Sequence, residues 1–543
     1  MLNILHLTLF ASTVAAYHET MTTTRHDWSP QGQSDLAAQH TVLFVTHNLN
    51  VDNNVLTNKL MAVSDPDSPS YGQHLTFKQV NQLTSNPIAT QCVEEYLQQI
   101  GAKIYSIKGQ GQFIRATHDI KTWSKIFKTT FHDYTHQTEL NRPSIVRTSE
   151  YTLPMQLSSC VDFVGYTTQL PATTKPRMHA TPTPLQTKPG TVDPTLLKSF
   201  YNIDSYTSSP NVSQAVFEAV GANYSPADLA EWLSYYSFPA QKVARDIGGH
   251  NSTALCKTTR PAACIEPNLD LQYLMGTAQG SPTTYWYETN ETWPFIAWIE
   301  EVMSDETPVT VHSISYAEAE YHVPPTLLRL FSVAAQKLGL MGTTLVVSSG
   351  DDGVAGAEAR GNQSACKVRN FNPYFPSSCP FVTAVGATQG PENYGSEIAE
   401  TSNAHPSGGI TTGGGFSNFY LQPSYQTSAV ATYTATAKMP VGNYNATGMR
   451  GYPDVALLGH MYQVMIGGTQ FGVSGTSAST PVMAGMINLW NTKRLRKGKS
   501  LLGFLNRKFF LVFVLFFCSF PCLPAASLSS YFFFFFFLFS TAV

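Results

Sequence analysis

The 543-residue sequence predicts an α/β fold with a doubly wound parallel sheet, preceded by a small α/β domain. Three observations predict it. Continuous apolar runs read as strands buried on both faces, helical stretches separate them, and a Thr/Pro-rich break sets off a shorter β-α alternation at the N-terminus. The net charge of −3 gives no electrostatic reason to expect nucleic acid as a partner.

Taken in order, residues 1–16 ("MLNILHLTLFASTVAA") hold an apolar run too short to span a bilayer, followed by small residues, and read as a secretory signal. Residues 17–163 form the small domain. In it "HTVLFVTHNLN" is a strand, "DPDSPSYGQH" a turn-rich loop, "IATQCVEEYLQQIGAKI" a helix, and "GQFIRATHDIKTWSKIFKTTF" a strand followed by a helix. Residues 164–190 change at Leu170 to "LPATTKPRMHATPTPLQTKPG". Repeated Thr and Pro cannot build a core or a regular ladder, so this stretch is expected to be a linker and a proteolysis site. Residues 191–506 carry the parallel sheet. Strands are expected at 213–220, 309–316, 343–350 and 380–388, with helices at "LLRLFSVAAQKLG" and at "SPADLAEWLSYY", which Ser225 caps and Pro226 begins. Catalytic residues in such a sheet sit where strands give way to loops.

The 8 cysteines suit an oxidising compartment, as do sequons at Asn211, Asn223, Asn251, Asn290, Asn362 and Asn445. Cys256 with Cys264, and Cys366 with Cys379, are close enough in sequence to close small loops, with free buried thiols as the alternative. A zinc site is disfavoured, because no CxxC pair or suitably spaced histidine accompanies them.

Three strings carry chemistry. In "FGVSGTSASTPVMAG" Ser477 stands where a Gly-rich turn meets an apolar helical stretch, so it is either a simple cap or a nucleophile beside free helix amides. In "CIEPNLDLQYLMG" Glu266 and Asp270 are spaced i and i+4 and share one helix face. Two like charges so placed destabilise a helix unless they share a proton or serve a site; the plain alternative is a solvated acidic face. Pro267 suits a first helical turn and not an interior, which puts Glu266 at the helix start. In "VVSSGDDG" Asp351 follows a strand and a glycine.

Together these strings resemble the sedolisin family, the acid-acting serine-carboxyl peptidases. The SGTSAS-x-P string is shared with subtilisin-like proteases. A subtilisin, however, would need an aspartate after the first strand and a Gly-His-Gly-Thr-His-like helix start, where this chain has "AVFEAV" and only "GGHN" at 248–251. The resemblance implies a subtilisin-like sheet with Ser477 as nucleophile, Glu266 as general base and acid, and Asp270 orienting Glu266 and sharing its proton. Asp351, favoured over Asp352 by the motif register, falls in the oxyanion hole. "VSDPDSPSYGQHLT" is similar to the family's activation propeptide, "VDPTLLKSFYN" to the opening of its catalytic domain, and "GGGFSNFYLQPSYQ" to part of its substrate cleft. Within the family the likeness is to tripeptidyl peptidases. It implies peptide and protein substrates, the chain's own propeptide as an intramolecular inhibitor, and a secreted or else lysosomal or vacuolar product.

An acid endopeptidase would share the same residues. A non-catalytic binding protein is the alternative from another class, motivated by the C-terminus. Sedolisins are expected to bind calcium after the serine, yet Asp454 is the last acidic residue of this sequence. Calcium needs anionic oxygen ligands, so no conventional site is expected downstream of Ser477 and no cofactor or metal ligand is assigned. The resemblance stops near "LLGFLN", and residues 507–543, dominated by phenylalanine, are read as an aberrant hydrophobic tail or a membrane segment.

Overall fold

Contacts in the computed structural model divide the chain into two units, Met1–Leu49 with Thr84–Leu170 and Asn50–Leu83 with Pro171–Val543. The structure describes residues 17–21, 27–137, 143–171, 179–182, 190–289, 293–357, 372–401, 409–437 and 448–507. The expected signal, most of the linker and the tail from 508 lie outside them, as do Asn290, Asn362, Asn445 and Cys366.

In the first unit the apolar run of Gln39–Thr46 becomes a central antiparallel strand between Phe113–Asp119 and Val161–Gly165, with Lys103–Lys108 at the edge. Two helices cover one face. Pro87–Gln99 is capped by the Asn86 side chain, which accepts from the Ala89 amide, and Ile120–Phe127 is capped in the same way by Asp119. Val42, Phe44, Val93, Leu97, Ile114, Trp123 and Phe127 form the core beneath them. A disulfide between Cys92 and Cys160 ties the first helix to the last strand.

The second unit is built on an eight-stranded sheet. In chain order its elements are β1 (Gln214–Glu218), α1 (Pro226–Tyr235), β2 (Arg245–Ile247), α2 (Ile265–Thr277), β3 (Thr283–Tyr287), α3 (Pro294–Val302), β4 (Val311–Ile314), α4 (Pro325–Leu340), β5 (Thr344–Ser348), β6 (Thr383–Gln389), β7 (Ile398–Ala399), β8 (Val455–Leu458), β9 (Tyr462–Ile466), β10 (Thr469–Ser474) and α5 (Thr476–Arg496). The order across the sheet is β2-β3-β1-β4-β5-β6-β7, with β8 also pairing β6. Every pair is parallel except β6 with β7. Strands β1, β3, β4 and β5 are buried along their whole length, as a parallel sheet covered on both faces requires.

Residues 50–83 belong to this second unit although they precede the linker in sequence. The helix Val55–Ser64 packs Leu56, Leu60 and Val63 on Leu340, Tyr425 and Phe504. The Leu75 amide donates to the Leu340 carbonyl at 2.8 Å, and His74 Nε2 lies 3.0 Å from the Leu501 carbonyl.

Three expectations are corrected. The linker does contribute to a ladder: His179–Pro182 pair antiparallel with β10, His179 opposite Ser474, because the edge of β10 offers the backbone partners that the segment cannot supply itself. Cys379 is a free buried thiol and not half of a disulfide, whereas Cys256–Cys264 does form. Asn223 is buried at 9% exposure and its side chain meets His250, so it cannot accept a glycan, while Asn211 and Asn251 are exposed.

One buried side chain carries a pH liability. His312 on β4 is enclosed by Trp298 and Trp286, and neither ring nitrogen has a hydrogen-bond partner among the described residues. Burial lowers its pKa from 6.5 to about 4, with Asp305 opposing the shift. Below pH 6.5 the unfolded chain therefore takes up a proton that the folded chain refuses, and stability present at neutral pH is lost as the pH falls toward 4. The loss at this one group is on the order of 3 kcal/mol by pH 4. Thermal melts of the protein and of His312→Leu at neutral and acid pH should show the smaller acid-induced fall in the variant; equal falls would contradict this account.

Candidate active site

The site is assembled from strand ends and two helix starts. Helix α2 follows directly on a short turn, Pro261–Cys264, whose last residue is held by the Cys256–Cys264 disulfide. Pro267 falls in the first turn of α2, where its missing amide costs no helical bond. Glu266 and Asp270 then stand one turn apart, and because α2 is buried on all sides, both acids point into protein. They are 5% and 0% exposed. The solvated-face alternative is thereby removed.

Helix α5 begins one residue after β10, and Ser477, 1% exposed, is its second residue. Pro481, four residues on, has no amide to donate to the Ser477 carbonyl. A Cβ at Gly485 would stand 2.7 Å from Thr277, so glycine there is what allows α5 to approach α2 this closely.

Asp351 sits three residues beyond β5 and is tied to the same helix start. Its Oδ1 accepts from the Thr476 amide at 2.7 Å and from the Thr476 hydroxyl at 2.9 Å. Thr476 Oγ1 in turn accepts from the Gly350 amide at 3.1 Å. The neighbouring Asp352 instead receives the Tyr374 hydroxyl at 3.4 Å. The glycine-rich segment after Thr411 runs alongside: the Thr411 amide donates to the Asp351 carbonyl and the Gly413 amide to that of Gly350. A Cβ at Gly413 would stand 2.3 Å from the Ser349 carbonyl oxygen, so only glycine fits there. Glu320 clamps the far end of the segment, accepting from the Ser417 hydroxyl and the Asn418 amide.

The structure adds a carboxylate that sequence motifs do not mark. Glu218, the last residue of β1, is fully buried and accepts from the Tyr316 hydroxyl at 2.9 Å. Ser315, just beyond β4, donates to Oδ1 of Asp270 at 3.2 Å. No motif flags these residues; the only signal is their position at the C-terminal ends of β1 and β4. His250 is no candidate base, since its ring stacks on Tyr287 and its Nδ1 lies 3.1 Å from the Ala222 carbonyl.

Glu218, Glu266 and Asp270 form one electrostatic group. Burial raises the pKa of Glu266 well above the carboxylate range, Asp270 and Asp351 raise it further, and the Ser477 and Ser315 hydroxyls hold it down. Burial and then Glu218 raise Asp270, with Ser315 opposing. Burial and then Glu266 raise Glu218, with Tyr316 opposing. Among the described residues neither Glu266 oxygen makes a well-aligned hydrogen bond, so the two hydroxyls are near but not yet in bonding geometry. Such bonds commonly tighten when substrate binds. Carboxyl groups this close cannot all ionise, and their protons come off as a shared set. A proton acceptor beside a helix-terminal serine, with a second carboxyl at the same helix start, can support acyl transfer at acid pH.

Residues 26–170 match the family model described as "Pro-kumamolisin, activation domain". Tripeptidyl-peptidase 1 of Bos taurus is 32% identical over 514 residues, covering 89% of this chain and 84% of the relative. The Homo sapiens tripeptidyl-peptidase 1 is 32% identical over 510 residues with the same coverage. The chain belongs to the sedolisin family of serine-carboxyl peptidases. A solved structure of Pseudomonas sedolisin, complexed with two molecules of pseudo-iodotyrostatin, matches 62% of this chain and 87% of its own at 19% identity and a TM-score of 0.46. Like the sedolisins, the protein is a serine-type peptidase made with an activation domain. Among the described residues no group of three or more His, Cys, Asp or Glu is placed to hold a metal ion.

Replacing Glu218 by Gln keeps a partner for Tyr316 but removes a titrating carboxyl coupled to Glu266 and Asp270. The acid limb of the pH–rate profile of Glu218→Gln should therefore move to lower pH; an unmoved limb would show that Glu218 is not coupled to the group that must lose its proton.

Proposed function

We propose that the protein removes tripeptides from the free N-termini of polypeptides at acid pH, through Ser477, Glu266 and Asp270. The observation that carries this reading is the burial of Glu266 and Asp270 one turn apart on α2, packed closely against α5, whose second residue is the buried Ser477. A histidine base would be protonated and useless in acid, whereas a carboxylate raised by burial still exchanges a proton there.

In the proposed cycle Glu266 takes the Ser477 proton as Oγ attacks the peptide carbonyl carbon. Asp270 shares a proton with Glu266 and orients it. The developing oxyanion is met by Asp351, through its protonated carboxyl oxygen, and by amides at the start of α5. Glu266 returns the proton to the leaving amine as the C–N bond breaks. Water, activated by the same glutamate, then attacks the acyl-enzyme and frees Ser477 with the tripeptide acid. The preference for tripeptides is supported by the names of the sequence relatives. No calcium-dependent step is invoked.

The activation domain would serve as an intramolecular inhibitor. The linker residues 179–182 lie on β10, the strand that leads to Ser477, and this supports a cleft covered until acid permits self-cleavage near residue 190. The apolar run read as a signal in residues 1–16 and the exposed sequons Asn211 and Asn251 support passage through the secretory route, to the exterior or to a lysosome or vacuole. No helix among the described residues is long and apolar enough to cross a membrane.

The test is mass spectrometry of products after the full-length protein is brought to about pH 4, where ordinary carboxyls titrate. Tripeptides and loss of the N-terminal domain are expected from the wild type. In Ser477→Ala activity should fall by several orders of magnitude, roughly 10⁶-fold. Internal fragments would assign an endopeptidase; equal activity in Ser477→Ala would end the mechanism. Asp351→Ala should cost about 10²–10³-fold. Asp351→Asn keeps a donor at every pH and should push the alkaline limb of the profile upward.

A further inference from the structure

Behind the catalytic turn lies a second set of buried titratable groups that the proposed cycle does not use. Glu400, fully buried, follows β7; its amide donates to the Ala387 carbonyl on β6 at 3.0 Å, and its carbonyl accepts from the Thr412 amide at 2.9 Å. Its Oε1 stands 2.9 Å from Nδ1 of His460, which is itself buried in the loop after β8. The same Nδ1 lies 3.3 Å from the hydroxyl of Ser474, the last residue of β10, and that hydroxyl accepts from the Met461 amide at 2.9 Å. The next residue, Gly475, donates its amide to the Gly459 carbonyl at 2.9 Å. A Cβ at Gly459 would stand 2.5 Å from Ala387 and 2.9 Å from the Gly475 carbonyl oxygen, so the loop is pressed against both. The junction from which α5 and Ser477 start is thus clamped on residues 459–461, and the clamp ends in an imidazole–carboxylate pair.

Adjacent residues link Glu400 to the loop of the oxyanion carboxyl, for the Thr412 amide donates to the Glu400 carbonyl and the Thr411 amide to the Asp351 carbonyl. Burial and then Asp351 and Glu392 raise the pKa of Glu400, while the Gly409 and Ile410 amides hold it down. Burial lowers that of His460, with Glu392 opposing. Glu397, pushed up to about 7 by burial and bonded by the Thr388 hydroxyl, completes the surrounding acids, and the Tyr462 phenol faces Glu392, Glu397 and Glu400. A carboxylate–imidazole pair this deep is weak as a stabilising device, because desolvation offsets its attraction. Its position against the catalytic junction is what distinguishes it.

We infer that Glu400 and His460 are a positioning pair for acylation: they fix the Ser474–Gly475 junction that presents Ser477, and they stand a second carboxyl behind Asp351. This rests on the roles proposed above for Ser477 and Asp351. Glu400 and His460 touch no reacting atom, so their effect is on the reacting geometry and on the proton held by Asp351.

The test uses the full-length protein after acid processing, with thermal midpoints measured beside the kinetics. Glu400→Gln should lower kcat roughly tenfold to a hundredfold, as small misplacements of a reacting group do, while KM moves by less than about twofold. Its alkaline limb should move, because a carboxyl coupled to Asp351 is removed. His460→Ala should lose kcat similarly, His460→Gln should recover most of it by still donating to Glu400, and the double variant should fall no further than the worse single one. An unchanged kcat with an unmoved limb in Glu400→Gln overturns the pair, and so do losses that add in the double variant. If His460→Ala does not fold, the Glu400→Gln profile and the His460→Gln rate decide. Activity surviving in Ser477→Ala would sink the nucleophile assignment itself, whereas a dead Ser477→Ala beside a wild-type-like Glu400→Gln would sink only the pair.

Discussion

Three carboxyl groups buried together beside a serine hydroxyl are the constraint around which the second unit is organised. Glu218, Glu266 and Asp270 come from β1 and from successive turns of α2, and none is more than 5% exposed. Like charges in such surroundings resolve by holding protons, and a held proton that two carboxyls share is what a base working in acid requires. The hydroxyls of Ser315, Tyr316 and Ser477 spread the charge that remains. The parallel sheet makes this arrangement affordable, because it delivers all the strand ends to one edge while α2 and α5 seal the site from one face.

The same burial writes two opposite pH dependences into the fold. The raised carboxyls favour the folded state at low pH, and that contribution is lost as pH rises through their folded pKa values. His312 works the other way, contributing at neutral pH and losing that contribution in acid. A fold that keeps a neutral histidine between two tryptophans is balanced in acid by its carboxyls and not by its histidines.

How much was legible in the sequence depended on whether the chemistry is local. Glu266 and Asp270 share a helix turn, Asp351 follows its strand directly, and Ser477 sits in a contiguous motif, so each could be picked from neighbouring letters. Glu218 could not: "AVFEAV" carries no motif, and only the pairing of β1 with β3 and β4 brings it to the other acids. Glu400, His460 and Ser474 come from three separate segments, and nothing in their spacing announces a contact. The burial of Asn223, the Cys92–Cys160 bridge and the packing of residues 50–83 on α4 are likewise tertiary facts. The linker strand failed for a different reason: a Thr/Pro-rich segment has no ladder of its own, but it can complete one whose register a neighbouring strand dictates.

The most direct test is infrared difference spectroscopy of carboxyl protonation, comparing the protein with Glu266→Gln and Asp270→Asn variants. At about pH 6, two units above the range where ordinary carboxyls titrate, the wild type should retain a protonated-carboxyl band that weakens in each variant. A wild-type spectrum with every carboxyl ionised at that pH would contradict the shared-proton site on which the mechanism is built.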